Sequence, residues 1–225
     1  MTDEKVVFNT LSAEELMRDT AWWEIYDEAF PPSERESPKV ILNSLEHEVG
    51  LALRAKAGGR TIGIATTHLL KDPPAVFLVY LATDRNMRGR GCGGQLLEYG
   101  FQAGEQKLSE AGLSATGLVL EVDSPDVIDD AEEKQLRERR IAFFGRHGCK
   151  LLPEGYIQPP VDGSTLVPMR LMFRAAQNSH HPEIKTLVRS LYFEKYNAIN
   201  GIPREILENL LQQTKSPVNQ DRLTL

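Results

Sequence analysis

Residues Ala75 to Leu97 read AVFLVYLATDRNMRGRGCGGQLL. Val76 to Ala82 is an unbroken apolar run with β-branched and aromatic members, the composition of a strand buried on both faces. Mostly polar residues, Thr83 to Arg88, lead to Gly89-Arg90-Gly91-Cys92-Gly93-Gly94. Leu97, Phe101, Gly104 and Leu108 then recur at spacings of four, three and four, one face of a helix. The order is strand, glycine-rich loop, helix N-terminus.

The first N–H groups of a helix lack intrahelical partners and carry the positive end of its dipole. Glycines let that end approach an anion closely, and a phosphate or pyrophosphate is the natural guest. Arg88 and Arg90 add positive charge at the rim. A tight turn that merely requires positive φ explains one or two glycines, whereas four stand here in six positions. The P-loop requires Lys and then Ser or Thr after its last glycine, and Gly94 is followed by Gln95. The dinucleotide fingerprint is formally present as Gly89, Gly91 and Gly94. Its glycines should follow the strand almost at once, however, with an acidic residue about 20 positions on; Glu121 comes too late.

The segment RGRGCGGQLL resembles the coenzyme A pyrophosphate loop of the GNAT superfamily of N-acetyltransferases, R-G-x-G-hydrophobic-G-x-x-L-L. Cys92 replaces the usual aliphatic residue. The resemblance extends over about residues 5 to 173 through the order of the elements. It implies acetyl-CoA as co-substrate, held by Arg88, Gly89, Arg90, Gly91, Cys92, Gly93 and Gly94. It also implies that main-chain N–H groups near Leu81, Ala82 and Thr83 polarise the acetyl carbonyl.

Lys5 to Asn9 reads as a strand. Ser12-Ala13-Glu14-Glu15 is a capping box that opens a helix running to Ala29, ended by Pro31-Pro32. A second helix is expected over Lys39 to Glu48. The intervening turn, Phe30 to Arg35, corresponds to the acceptor side in GNAT enzymes. Glu34 is therefore a candidate for holding a cationic substrate, with a solvated loop carboxylate as the alternative. Leu51–Ala55 and Arg60–Leu69 flank Ala57-Gly58-Gly59, a hairpin. Leu118 to Val122 is another buried-type strand, which makes a βαβ unit with a parallel pair. A helix from about Ala131 to Gly148 comes after it, then strands Tyr156–Gln158 and Leu166–Phe173 around an Asp162-Gly163 turn. The expected fold is α/β, a GNAT-type mixed and mostly antiparallel sheet with helices on both faces. A C-terminal helical extension is expected after the domain at 1–173. In that extension, 174–225, Ile184, Leu187, Val188, Leu191 and Tyr192 form one amphipathic helix, and Ile206, Leu207, Leu210 and Leu211 a second. Their apolar stripe needs a cover, either the preceding domain or a second copy in a homodimer. Residues 214 to 225 read as frayed.

The composition bounds partners and place. A chain of 225 residues can bury a good core. With no apolar run near membrane length and no leader pattern, a soluble cytoplasmic protein is expected. Cys92 and Cys149 make neither a disulfide framework nor a metal spacing. The net charge of −6 argues against non-specific nucleic-acid binding.

Acetyl transfer to an amine needs a base, a polarised carbonyl and a proton for the leaving thiolate. Neutralising an ammonium of pKa about 10.4 at pH 7 costs roughly 4–5 kcal/mol. A carboxylate meets that need, and Glu121 interrupts an apolar strand at the carboxyl end, where open α/β sheets hold ligands. An edge carboxylate facing solvent is the alternative for it. Family members carry a proton-donating tyrosine in Tyr-x-x-x-Gly-Phe, and here Phe144 occupies that place. Tyr156 is the leading substitute, with His147 and Tyr80 behind it, and water is the other reading. Arg137, Arg139 and Arg140 read as a solvated face paired with the acidic residues between Asp126 and Glu133, with contact to the coenzyme A phosphates as the alternative. A covalent acetyl-enzyme is disfavoured, since neither cysteine has a base at a diagnostic spacing. The expected function is direct transfer from acetyl-CoA to a primary amine on a small molecule or peptide. The alternatives are a catalytically impaired coenzyme A-binding module and a structural protein that assembles through its C-terminal helices.

Overall fold

A computed structural model describes residues 5–161, 163, 165–179 and 181–213. The expected frayed end, 214–225, and Asp162 of the expected turn lie outside these residues. One sheet organises the chain, in strand order β1-β2-β3-β4-β5-β7-β6. Its strands are β1 (Val7–Leu11), β2 (Gly50–Ala57), β3 (Arg60–Lys71), β4 (Pro74–Thr83), β5 (Gly117–Asp123), β6 (Lys150–Gln158) and β7 (Val167–Ala175). Only β4 and β5 run parallel; the other neighbours are antiparallel. The mixed, mostly antiparallel sheet of the sequence reading is present. The β2–β3 turn has Gly58 and Gly59 at φ 55° and 79°, the two positive φ values that a tight two-residue hairpin requires.

The long first helix is instead two, α1 (Ala13–Arg18) and α2 (Thr20–Ala29). Asp19 ends one and caps the other. Its carboxylate accepts from the Trp22 N–H at 3.0 Å, from Arg54 at 3.0 Å and from Thr61 at 2.9 Å. Periodicity alone could not show this break, because two of those donors come from other strands. Helix α3 spans Pro38–Glu46, α4 Cys92–Glu110 and α5 Ala131–Arg146.

Helices α4 and α5 cover one face of the sheet, where Leu97, Phe101 and Phe144 meet Leu53, Val76 and Leu120. On the other face, Trp22, Tyr26 and Ile41 of α2 and α3 pack on Ala52, Ile64, Tyr80 and Ala82. The C-terminal segment takes the rest of that second face. It comprises α6 (Ile184–Ser190), a π-helical stretch Leu191–Asn197 and α7 (Arg204–Gln213). Leu187, Val188, Leu191, Tyr192 and Leu207 are buried against Phe77, Val119 and Leu171. The stripe left open by the sequence is covered within the chain.

A bulge in β4 changes which way the end of that strand faces. Thr66 pairs with Tyr80 and Thr67 with Leu78, so Val79 is an extra residue. Strand side chains alternate between faces, and one inserted residue reverses the alternation. Val76 and Leu78 therefore face α4, whereas Tyr80 and Ala82 face α2. The parallel pairing with β5 ends at the same place, at Leu78↔Leu120. Beyond it the two strands part.

Candidate active site

Where β4 and β5 separate, a cleft of about 1360 Å³ opens. Its walls include Leu81, Ala82 and Thr83 of β4, Glu121 of β5, Glu34 from the loop before α3, and Arg88, Gly89, Gly91, Cys92, Gly93 and Gly94. The expected residues thus gather round one cavity, with two exceptions. Arg90 is exposed and is not on its wall, and Tyr156 is not on it either.

The glycines of the loop have separate causes. Gly89 and Gly91 sit at φ 78° and 77°, a region that side chains with a Cβ avoid. At Gly94 a Cβ would stand 2.4 Å from the His147 ring. At Gly93 it would meet only ordinary contacts, 3.6 Å from Phe143. Neither backbone conformation nor packing requires a glycine at 93. That open place is the N-terminal turn of a 19-residue helix, whose free N–H groups suit a phosphate. Arg88, Arg137, Arg139, Arg140 and Arg146 also line the cleft. Among them Arg137 binds Glu133 at 3.0 Å and the Ser124 carbonyl at 2.9 Å. Arg139 bonds to Gln135, and Arg140 pairs with Asp123 at the end of β5. Arg137 pairs with the acidic stretch as expected, but it does so from the cleft wall and largely out of solvent, and Arg140 reaches a strand carboxylate instead.

At the other end of the cleft stand Glu34 and Glu121. Burial pushes the Glu34 carboxyl up from its ordinary value, opposed by the charges of Arg140 and Arg137. Burial also pushes Glu121 up. Its carboxylate accepts the Tyr196 hydroxyl at 2.7 and 2.8 Å and the Gln158 side-chain amide at 2.8 Å. The loop carrying Glu34 is held from beneath. Tyr80 donates to the Glu34 carbonyl and accepts from the Glu36 N–H, each at 2.8 Å. Glu36 forms a buried ion pair with Lys195 at 2.7 Å and accepts from Asn200 at 2.7 Å.

Tyr156 is not on the cleft wall but stands behind Glu121. Its strand β6 is separated from β5 by β7. The side chain is 3% exposed and packs on Tyr192, ring centroids 5.5 Å apart. Its hydroxyl completes no hydrogen bond by distance and angle among the described residues, yet it lies close enough to Glu121 for the carboxylate to add to burial in holding its proton on and for the hydroxyl to lower the proton affinity of Glu121. Phe144, in the family's tyrosine position, lines the cleft and has no proton to give. Both cysteines are buried, and burial raises the Cys92 thiol and pushes Cys149 up to about 11, which suits neither as a nucleophile. Tyr196 and the Lys195–Glu36 pair escaped the sequence reading. The one signal they offered was a lysine inside an apolar stretch, LYFEKY.

Residues 20–126 match the Acetyltransferase (GNAT) family. That segment, just under half of the chain, has the pattern of a GNAT acetyltransferase. Solved structures agree in fold. A GNAT-family protein from Bacteroides thetaiotaomicron aligns over 88% of this chain and 99% of its own, at 23% identity and a TM-score of 0.64. The ribosomal-protein-S18-alanine N-acetyltransferase of Escherichia coli aligns over 79% and 100%, at 20% identity and 0.51. A GNAT family acetyltransferase from Elizabethkingia anophelis, solved with acetyl-CoA bound, aligns over 78% and 100%, at 16% identity and 0.52. Comparison with curated protein sequences finds no match. No helix among the described residues is long and apolar enough to cross a membrane.

Proposed function

We propose that this acetyltransferase moves an acetyl group from acetyl-CoA directly to a primary amine of a small molecule or peptide. The observation that carries the reading is the junction of two features in one cleft. A cationic loop with an unencumbered helix N-terminus stands at one end, and two desolvated carboxylates stand at the other. Bound acetyl-CoA supplies an activated acyl group on a good thiolate leaving group. Arg88 and the main chain of 89–94 hold its diphosphate, and Gly93 leaves space for the approach. On the part of β4 that β5 no longer pairs, the N–H groups of Leu81 and Thr83 point to the cleft side, while that of Ala82 between them points to β3; the outward pair polarises the carbonyl.

Glu121 takes the proton of the acceptor ammonium. Burial raises its proton affinity towards the working range of a base. Glu34 attracts the cation into the acceptor end. With Phe144 inert and Tyr156 behind the wall, the weakly basic thiolate takes its proton from water. The buried, protonated cysteines favour direct transfer over a covalent acetyl-enzyme.

The test is thiol release from acetyl-CoA across a panel of primary amines, with Glu121→Gln beside the wild type. Loss of a positioned base should lower kcat by about 10²–10⁴-fold, while the thermal upshift given by coenzyme A persists. Equal turnover in both proteins would remove Glu121 as the base. Binding of coenzyme A without turnover of any amine would favour the catalytically impaired module that Phe144 suggests. The absence of any upshift with saturating coenzyme A would end both readings.

A further inference from the structure

Tyr196 belongs to the C-terminal segment, 75 residues from Glu121 in sequence, yet its hydroxyl donates to both carboxylate oxygens. It is 1% exposed and lies on the π-helical stretch Leu191–Asn197. That geometry is written in the main chain: the N–H of Ala198 reaches the Phe193 carbonyl and that of Asn200 reaches Lys195. Such i→i+5 stretches are rare and cluster at functional sites. Adjacent residues of this one serve both carboxylate elements of the acceptor end. Lys195 anchors Glu36 in the loop that carries Glu34, and Tyr196 binds Glu121. The segment is itself fastened to the domain. Glu194 accepts the N–H groups of Lys71 and Asp72 at the β3–β4 turn, and Tyr192 donates to the Ile157 carbonyl.

We infer that Tyr196 is a positioning residue for Glu121: its hydroxyl fixes the rotamer of the carboxylate and sets its proton affinity. This rests on Glu121 acting as the base. A donor to a carboxylate stabilises the charged form, and in a site that burial drives towards the neutral form two donors oppose the drift. Gln158 is the second donor within hydrogen-bond distance, and the Tyr156 hydroxyl beside them acts in the same direction. The other titratable groups around Glu121 are Tyr156 from β6, Tyr192 from the C-terminal segment, and Glu34 and Glu36 from the loop before α3. Lys195 and Arg140 are engaged elsewhere, with Glu36 and Asp123. Tyr196 is the donor that bonds both carboxylate oxygens, and the C-terminal segment is part of the active site rather than an appendage.

The experiment titrates Glu121 directly. Full-length protein is labelled with carboxyl-13C glutamate, and the Glu121 resonance is the one missing from Glu121→Gln. In Tyr196→Phe its midpoint should rise by about one pH unit, a tenfold change in proton affinity. Placing 3-fluorotyrosine at 196 strengthens the donor at nearly constant volume and should move the midpoint the other way. The acid limb of kcat/KM should follow each shift. A residue that merely fills space would give no opposed shifts, so an unmoved midpoint in the fluorotyrosine protein overturns the inference even if Tyr196→Phe fails to fold. Opposed shifts in a protein whose Glu121→Gln variant keeps full turnover would instead refute Glu121 as the base and leave the hydrogen bond standing.

Discussion

The two ends of the cleft are built in opposite ways. The end that we assign to coenzyme A is continuous chain: a strand, the glycines of 89–94 and the first turn of α4. The end that we assign to the acceptor is assembled from four remote pieces, the loop at 34–36, Glu121, Gln158 and the run from Lys195 to Asn200. At the first end backbone geometry makes the site, and side chains mostly decorate it. At the second, side chains meet across the sheet, and each carboxylate keeps its place through a partner from the C-terminal segment. The first should yield to changes in φ and Cβ, the second to changes in charge and hydrogen bonding.

Breaking the acceptor end should have the largest effect on stability. In Lys195→Met, Glu36 is left buried without its cation, and removing one partner of such a pair costs about 3–5 kcal/mol. Chemical denaturation should show that loss. The apparent affinity for coenzyme A of the remaining folded protein should stay within twofold of wild type. A matching loss of coenzyme A affinity would mean that the two ends are one mechanical unit.

The reverse dissociation comes from Gly93→Ala. Its Cβ has only ordinary contacts, and alanine favours a helix by up to about 1 kcal/mol over glycine. Stability should hold or rise, while coenzyme A affinity falls by about tenfold, read by calorimetry, because the methyl group intrudes on the anion's approach. Gly89→Ala is the control: φ 78° is strained for alanine, so stability itself should fall by about 1 kcal/mol.

The smallest effect concerns pH. His68, 1% exposed on β3 near Lys195, is pulled down to about 3, first by burial and then by that lysine. Since the folded value lies below the unfolded one, its contribution is present above about pH 6.5 and is lost as pH falls towards 3. Between pH 6.5 and 5.5 the loss is about 1 kcal/mol. His68→Gln should flatten that part of the stability profile. A slope that survives would move the acid sensitivity away from the acceptor end.

Particular elements show where sequence reading succeeds and where it stops. The hairpin at Gly58-Gly59, the capping box at Ser12, the β4-loop-α4 unit and the amphipathic C-terminal helices were legible, since each rests on neighbours within a few residues. The break at Asp19 was not, because Arg54 and Thr61 make it. Nor was the Val79 bulge, which turns Tyr80 towards the loop before α3 and marks the point where β4 leaves β5. The place of Tyr156 was not legible either: β7 lies between its strand and β5, and only the tertiary structure sets it behind Glu121.

By itself, then, the order of residues determined the elements, the anion loop and a strand-borne carboxylate, all properties of short-range sterics, helix dipoles and hydrophobic periodicity. Tertiary structure alone decided which strand neighbours which, what covers the apolar stripe of the C-terminal helices, and that Tyr196 and Lys195 hold Glu121 and Glu36. Those pairings depend on burial bringing distant polar groups together, where each leaves water only with a partner to replace it. Local patterns carry no record of that partner.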